Sequence, residues 1–179
     1  MLVLGDSLSA EYGLSRGSGW VALLDKGLKA QKIDTDIVNA SISGETSSGG
    51  RTRLPALLAK YHPDIVVIEL GANDGLRGLP VAAAEANFRA MLAQASTAGA
   101  RVLLIGMHLP PNYGRTYGDS FFAMYGKLAH EFHAPLVPFM LEGVADTSFQ
   151  ADRLHPTAAA HPTILGNIWP RLLPLIKSP

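Results

Sequence analysis

The sequence predicts a three-layer α/β/α protein in which helices flank a parallel β-sheet. Apolar runs alternate with amphipathic stretches along the whole chain, a pattern typical of parallel strands joined by crossover helices. The run from Ile65 to Ile68 is apolar at every position, as expected of a central strand that is buried on both faces. A chain of 179 residues is long enough for one domain with a sizeable core. Because no repeat, low-complexity tract or linker interrupts it, we predict a single domain over residues 1–179.

Five short apolar segments are the predicted strands. They are Leu2–Leu4, Ile37–Asn39, Ile65–Leu70, Val102–Gly106 and Leu136–Pro138. Helices are expected between and after them, because apolar residues recur at helical spacing or good helix formers dominate there. The helical segments are Trp20–Leu28, Leu54–Tyr61, Ala82–Ala95, Phe121–Phe132 and Ile164–Ile176. Pro170 and Pro174 are expected to kink or break the last helix.

Composition excludes several classes of function. Fifteen basic residues balance fifteen acidic ones with no run of like charge, so neither nucleic acid nor an anionic membrane surface is an expected partner. The chain contains no cysteine, which excludes disulfides, a thiolate nucleophile and Cys-ligated metals. No apolar run approaches the roughly 18 to 20 residues that a membrane span requires, so stable membrane insertion is not expected.

The amino terminus begins inside the first predicted strand. It lacks the basic region, apolar stretch and cleavage site of a signal peptide. This start favours a mature form that has been trimmed of a leader, with Met1 added. Such a form is expected to be periplasmic or secreted, whereas an untrimmed chain would be cytoplasmic.

Polar residues and a glycine that are able to take part in catalysis follow the ends of the predicted strands. Ser7, Gly44 and Asn73 come after the first three strands, and Asp152 with His155 lies near the carboxyl end of the chain. In open α/β folds the carboxyl ends of the strands form the ligand-binding edge of the sheet. We therefore expect all four segments to follow strand ends of one sheet and to meet at that edge.

Each segment also has an ordinary structural explanation. Ser7 or the preceding Asp6 is a plausible helix cap, and Gly44 is a plausible turn glycine. The run Asn73-Asp74-Gly75 resembles a tight turn, and Asp152 is suited to cap a helix that begins near Pro156. These explanations leave the shared position of the segments at one sheet edge unaccounted for.

Acyl-transfer chemistry explains why these residues would be brought together at one edge of the sheet. A serine hydroxyl becomes a good nucleophile when a neighbouring base takes its proton, so Ser7 is the predicted nucleophile and His155 the predicted base. Asp152 is suited to hold the imidazole and to stabilise its charged form. The backbone N–H groups of Ser7 and Gly44 and the amide of Asn73 are the predicted oxyanion donors. The serine motif lacks the closing glycine of the G-x-S-x-G elbow.

These motifs resemble the four blocks of the SGNH (GDSL-type) hydrolases. The similarity is greatest to the bacterial thioesterase, lysophospholipase and arylesterase group of that family. The matching stretches, in order, are GDSLSAEYG, VNASISGETS, LPALL, ELGANDGLRG, LPPNYG and RLHP. The resemblance implies a flavodoxin-like sheet of five parallel strands and the same assignment of Ser7, Gly44, Asn73, Asp152 and His155. The predicted chemistry requires no metal or cofactor. Arg153 and Leu154 stand where a small residue is expected after the aspartate, and His108 stands where a longer basic residue is expected.

The predicted function is hydrolysis of carboxylic esters and thioesters of small molecules, such as aryl esters, acyl-CoA or lysophospholipids, through an acyl-enzyme. The predicted lining of an acyl groove is Leu76, Leu79, His108, Leu109 and Pro110. A carbohydrate O-acetylesterase and a non-catalytic binding module are the alternatives. Acyl-chain length and oligomeric state are left open.

Other features receive plainer interpretations. The loop Gly75–Pro80 is either a static turn or a segment that moves on substrate binding. A structural role is expected for His62, His130 and His133. His161 with Asp152 lacks a third ligand, so no metal is expected.

Overall fold

A computed structural model describes residues 1–177 of the chain. Its single sheet has five strands, all parallel, in the order β2-β1-β3-β4-β5. The strands are β1 (Leu2–Gly5), β2 (Val38–Asn39), β3 (Ile65–Glu69), β4 (Arg101–Ile105) and β5 (Leu136–Val137). Each predicted strand is therefore confirmed to within one residue at either end.

Six α-helices accompany the sheet in the described part of the chain. They are α1 (Trp20–Ala30), α2 (Ser47–Tyr61), α3 (Ala72–Leu76), α4 (Val81–Thr97), α5 (Arg115–Glu131) and α6 (His161–Lys177). Helix α1 packs against α6, while α2 packs against α4 and α4 against α5. These two groups of helices form the outer layers, as the sequence predicts. None of the helices in residues 1–177 is long and apolar enough to cross a membrane.

Helix α6 continues through both of its prolines, so the predicted break does not occur. Ile164, Ile168 and Leu172 bury one face of the helix completely. Pro170 and Pro174 lie on the exposed face, where a carbonyl that loses its helical N–H partner is close to water. The packing of the buried face outweighs the local cost of the prolines.

The two central strands set the position of the functional edge. Strands β1 and β3 are buried at every residue, and their register pairs Gly5 with Glu69 at the carboxyl ends. The segments that follow these two strands therefore leave the sheet side by side. This pairing places the turn after β1 next to the start of α3.

Candidate active site

A tight turn at the end of β1 presents Ser7. The buried carboxylate of Asp6 accepts a hydrogen bond from the N–H of Leu8 (3.0 Å), and the carbonyl of Asp6 accepts one from the N–H of Ala10 (3.0 Å). Asp6 therefore fixes the turn around Ser7 through its own side chain and backbone. A turn and not a helix follows Asp6, so Asp6 is not the helix cap that the sequence also allowed.

Ser7, His155 and Asp152 form a hydrogen-bonded series. His155 Nε2 lies 2.9 Å from Ser7 Oγ, and His155 Nδ1 lies 2.6 Å from Asp152 Oδ2. Asp152 Oδ1 also accepts the backbone N–H groups of His155 (3.0 Å) and Leu154 (2.9 Å). These backbone bonds, and the bond to the imidazole, lower the pKa of Asp152 to about 2. A charged carboxylate thus stands behind an imidazole that contacts a hydroxyl, an arrangement suited to moving the hydroxyl proton.

The bonding of Asp152 differs from the helix cap that the sequence also allowed. The next helical residues begin at Ala158, whereas Asp152 binds the N–H groups of residues 154 and 155. Its segment also does not directly follow a strand, because β5 ends at Val137. The expectation that all four segments follow strand ends is therefore wrong for this one.

Gln150 connects the segment of His155 to the turn of Ser7. The Gln150 side-chain amide donates to the carbonyls of Tyr12 (3.0 Å) and Pro156 (3.1 Å), and its backbone N–H donates to the carbonyl of His155 (2.7 Å). The N–H of Tyr12 in turn donates to the carbonyl of Ser7 (3.3 Å), and the Tyr12 ring lies 4.4 Å from the His155 ring. Sequence reasoning missed Gln150 because a single Gln in a loop carries no spacing signal.

Asn73 lies in the short helix α3 rather than in the tight turn that its sequence resembles. Its amide nitrogen donates to Asp6 Oδ2 (3.2 Å) and to the carbonyl of Glu45 (3.0 Å). The amide is thus oriented from two sides, and it joins the turn after β1 to the segment before α2. Gly75 and Leu76 also belong to α3, so only residues 77–80 of the predicted loop Gly75–Pro80 are non-helical.

Gly44 has a backbone conformation that favours glycine, with φ of 80°. Its carbonyl accepts a hydrogen bond from Arg77 Nη2 (2.9 Å). Among residues 1–177, no hydrogen bond uses the N–H of Gly44 or that of Ser7. Both N–H groups are therefore available to an acceptor.

A buried acid pair lies beneath the nucleophile turn. Glu69 Oε2 accepts hydrogen bonds from the N–H of Asp6 (3.3 Å) and from Ser9 Oγ (2.6 Å), and Ser9 Oγ accepts one from Trp20 Nε1 (3.1 Å). Burial raises the pKa of Asp6 to about 6. Burial and the nearby Asp6 charge raise the pKa of Glu69 well above its ordinary value.

Gly5 leaves the space that the Glu69 carboxyl occupies. A Cβ at Gly5 would lie 2.8 Å from Glu69 Oε2 and 2.8 Å from Ser41 Oγ. The first residue of the Gly-Asp-Ser motif is therefore explained by close approach. Sequence reasoning counted Glu69 as part of a strand, and the available signal was a carboxylate that closes an otherwise apolar run.

A mainly apolar cavity of about 330 Å³ opens beside Ser7 and His155. Four of the five predicted lining residues are in its wall: Leu76, His108, Leu109 and Pro110. Leu79 is not in this wall; it is 38% exposed, and its carbonyl accepts a hydrogen bond from Tyr117. The wall also includes residues that the sequence did not single out, among them Met107, Phe139, Leu141, Phe149, Arg153 and Leu154.

Two histidines outside the Ser7 series, His108 and His161, have structural contacts. His108 stacks on Phe122 with ring centroids 3.7 Å apart and meets Phe139 edge-on. His161 Nδ1 accepts the N–H of Trp20 (2.9 Å) at the start of α1. In the part of the chain that the structure describes, no group of three or more His, Cys, Asp or Glu residues is placed to hold a metal ion.

Comparison with known proteins identifies the family. Residues 3–162 match the model of the GDSL-like Lipase/Acylhydrolase family. The chain belongs to this family. The resemblance read from its motifs is therefore confirmed.

Named relatives cover nearly the whole chain. It is 52% identical to Esterase TesA of Pseudomonas aeruginosa over 98% of this chain and 89% of that protein. It is 45% identical to Thioesterase 1/protease 1/lysophospholipase L1 of Escherichia coli over 99% of this chain and 85% of that protein. A crystal structure of TesA, 53% identical, superposes with a TM-score of 0.95 over 97% of this chain and 98% of that one. The names of these relatives are those of esterases and thioesterases, in agreement with the predicted hydrolysis of esters and thioesters.

Acetylxylan esterases are more distant neighbours. The structure of Axe2 from Geobacillus stearothermophilus, in a catalytic mutant, has 20% identity and a TM-score of 0.79 over 99% of this chain and 94% of that one. This likeness extends to the fold alone. It lends no support to the carbohydrate O-acetylesterase alternative.

Proposed function

We propose that this protein is a serine hydrolase that cleaves carboxylic esters and thioesters of small molecules, with Ser7 as nucleophile. In this mechanism His155 takes the Ser7 proton as the hydroxyl attacks the acyl carbon, and later returns it to the leaving group. Water then releases the acyl group from Ser7 by the same route. The observation that carries the proposal is the bonded series Ser7–His155–Asp152 at the wall of an apolar cavity.

The electrostatics of Asp152 support its role as the partner of His155. Its low pKa keeps it charged throughout the working pH range. A fixed negative charge at Nδ1 stabilises the imidazolium that forms during proton transfer and selects the tautomer with Nε2 free to accept a proton.

Oxyanion stabilisation is assigned to three donors. The free N–H groups of Ser7 and Gly44 and the amide of Asn73 are the groups that the developing negative charge would use. The Asn73 amide is already oriented by Asp6 and Glu45 before this step. The oxyanion would share the amide with one of these acceptors or take its place. Such prior orientation reduces the reorganisation needed in the transition state.

The cavity wall supports an acyl group as the substrate portion bound there. Leu76, Leu109, Phe139 and Leu141 supply apolar surface next to the reacting hydroxyl, which favours burial of a hydrocarbon chain. The mechanism uses no metal or cofactor.

A substrate panel tests the proposal. The purified protein is assayed with p-nitrophenyl esters of graded acyl length, with acyl-CoA and with acetylated sugars, each with and without a chelator. We expect turnover of the acyl esters and acyl-CoA, slow deacetylation of the sugars and no effect of the chelator. Faster turnover of the acetylated sugars would favour the O-acetylesterase, and binding without turnover would favour the non-catalytic module. Loss of activity with the chelator and its return with zinc would point to a metal-bound nucleophile.

A further inference from the structure

Arg153 combines an unusual backbone with an unengaged charge at the active-site cavity. It lies between Asp152 and His155 in sequence, and its φ is 56°, in the left-handed region that side chains other than glycine rarely adopt. Its exposed side chain forms part of the cavity wall. Within residues 1–177, no hydrogen bond or ion pair engages its guanidinium.

The surroundings of Arg153 favour an anion. Among the described residues in the cavity wall, it is the one with a permanent charge, and none of the others is an Asp or Glu. The adjacent Asp152 carboxylate is already bonded to His155 and to the N–H of Leu154. Arg77, which is outside the cavity wall, donates a hydrogen bond to the carbonyl of Gly44 (2.9 Å). Arg153 is therefore a cation with free donors in the wall of the cavity that Ser7 also lines.

We propose that Arg153 binds a phosphate group in the leaving-group portion of the substrate. The rest of the cavity wall is mainly apolar and suits the acyl chain, so a charged group bound at Arg153 belongs to the leaving group. A guanidinium matches two phosphate oxygens with parallel N–H donors. Arg153 is thus a specificity-determining residue for phosphate-bearing acyl esters or thioesters. This inference rests on the proposed hydrolase function, because it concerns the same cavity.

Three substrates with one acyl chain separate the possible sources of the phosphate. Octanoyl-CoA carries it on a nucleotide, octanoyl lysophosphatidylglycerol carries it on a lipid headgroup, and p-nitrophenyl octanoate has none. In Arg153→Gln, which keeps the backbone and removes the charge, kcat/KM for at least one phosphate substrate should fall about three- to tenfold relative to the neutral ester. The loss should lie in KM. The substrate that loses more identifies the source.

Further variants separate charge from backbone strain. Arg153→Lys should restore part of the lost preference, because it keeps the charge without the planar fork. Arg153→Gly should lose the preference like Arg153→Gln without a lower Tm, because glycine adopts positive φ readily. Lys32→Gly is the matched control, since Lys32 is also an exposed cation with positive φ (57°) and lies outside the cavity wall. It should leave the substrate preference unchanged.

Salt provides an independent readout. In the wild type, KM for the preferred phosphate substrate should rise with ionic strength more steeply than KM for the neutral ester, and Arg153→Gln should remove that difference. Equal effects of Arg153→Gln on phosphate and neutral substrates, or the same loss of preference in Lys32→Gly, would overturn the inference. If the wild type fails to hydrolyse even the neutral ester, the proposed hydrolase function fails instead.

Discussion

Asn73 is the residue whose proposed role depends most on charge that exists only during the reaction. In the resting structure its amide bonds to Asp6 and to the carbonyl of Glu45, so it also contributes to local order. The proposed transition state adds a third, negatively charged acceptor. A change at Asn73 should therefore affect the chemical step more than substrate binding.

Asn73→Ala tests this role. Removing one oxyanion donor typically lowers kcat by about 10²- to 10³-fold, and we expect a loss in this range with a much smaller change in KM. Steady-state kinetics on a p-nitrophenyl ester measure both constants. Asn167→Ala is the control, because the Asn167 amide also donates two hydrogen bonds, to the carbonyls of Met140 and Glu142, but lies outside the cavity wall. A change in KM alone would show that Asn73 only binds substrate.

At the scale of elements, the paired ends of β1 and β3 hold two acids beneath the nucleophile turn. Asp6 and Glu69 are both buried, and Glu69 Oε1 has no hydrogen-bond partner among residues 1–177. A charged carboxylate is costly in such a setting, so the folded protein retains a proton on Glu69. The unfolded chain releases that proton near the ordinary pKa of 4.5.

This difference predicts how stability depends on pH. Because the folded state binds the extra proton, the free energy of unfolding should fall as pH rises above about 4.5 toward the raised pKa of Glu69. Glu69→Gln has no such proton, so its stability relative to the wild type should increase between about pH 5 and about pH 8. Urea unfolding at both pH values measures the difference. Glu142→Gln, at an exposed position, is the control. If the difference in stability between Glu69→Gln and the wild type is the same at both pH values, Glu69 does not carry the extra proton.

Gln150 connects the loop of His155 to the turn of Ser7. In addition to the Ser7–His155 contact, the Gln150 amide joins the segment of His155 to the turn of Ser7 by donating to the carbonyl of Tyr12. Gln150→Ala should therefore misplace His155 and lower kcat by about tenfold to a hundredfold, since small displacements of reacting groups are costly. The rate of inactivation by an organophosphonate should fall in parallel, and Gln31→Ala, at an exposed position, should change neither rate. Normal kinetics in Gln150→Ala would show that the loop positions His155 without this bridge.

The sequence predicted the elements whose neighbours are set by sheet topology. Apolar runs located β1 and β3, and parallel order placed Ser7 and Asn73 at one edge. The same reasoning fails where position depends on side-chain contacts between distant segments. The bridge from Gln150 to Tyr12 and the Glu69 carboxyl beneath Gly5 have no periodic signal. Pro170 and Pro174 misled the prediction of α6 because local cost is outweighed there by tertiary burial.

At the scale of the whole molecule, the fold brings together groups that lie far apart in the chain. Ser7 and His155 are separated by 148 positions, and Asn73 comes from a third segment. The five-stranded sheet positions the segments of Ser7 and Asn73, and the loop before α6 supplies His155. The central claim about this protein is that Ser7 is the nucleophile and that this long-range contact activates it.

Covalent labelling with a p-nitrophenyl alkylphosphonate tests that claim most directly. Attack by Ser7 Oγ displaces p-nitrophenolate and leaves a stable phosphonyl group, which intact mass and peptide mapping detect. We predict one adduct per chain, located on Ser7, its absence in Ser7→Ala, and a loss of about 10⁴- to 10⁶-fold in kcat in that variant. An adduct on Ser9 or another serine, or labelling of Ser7→Ala at the wild-type rate, would contradict it.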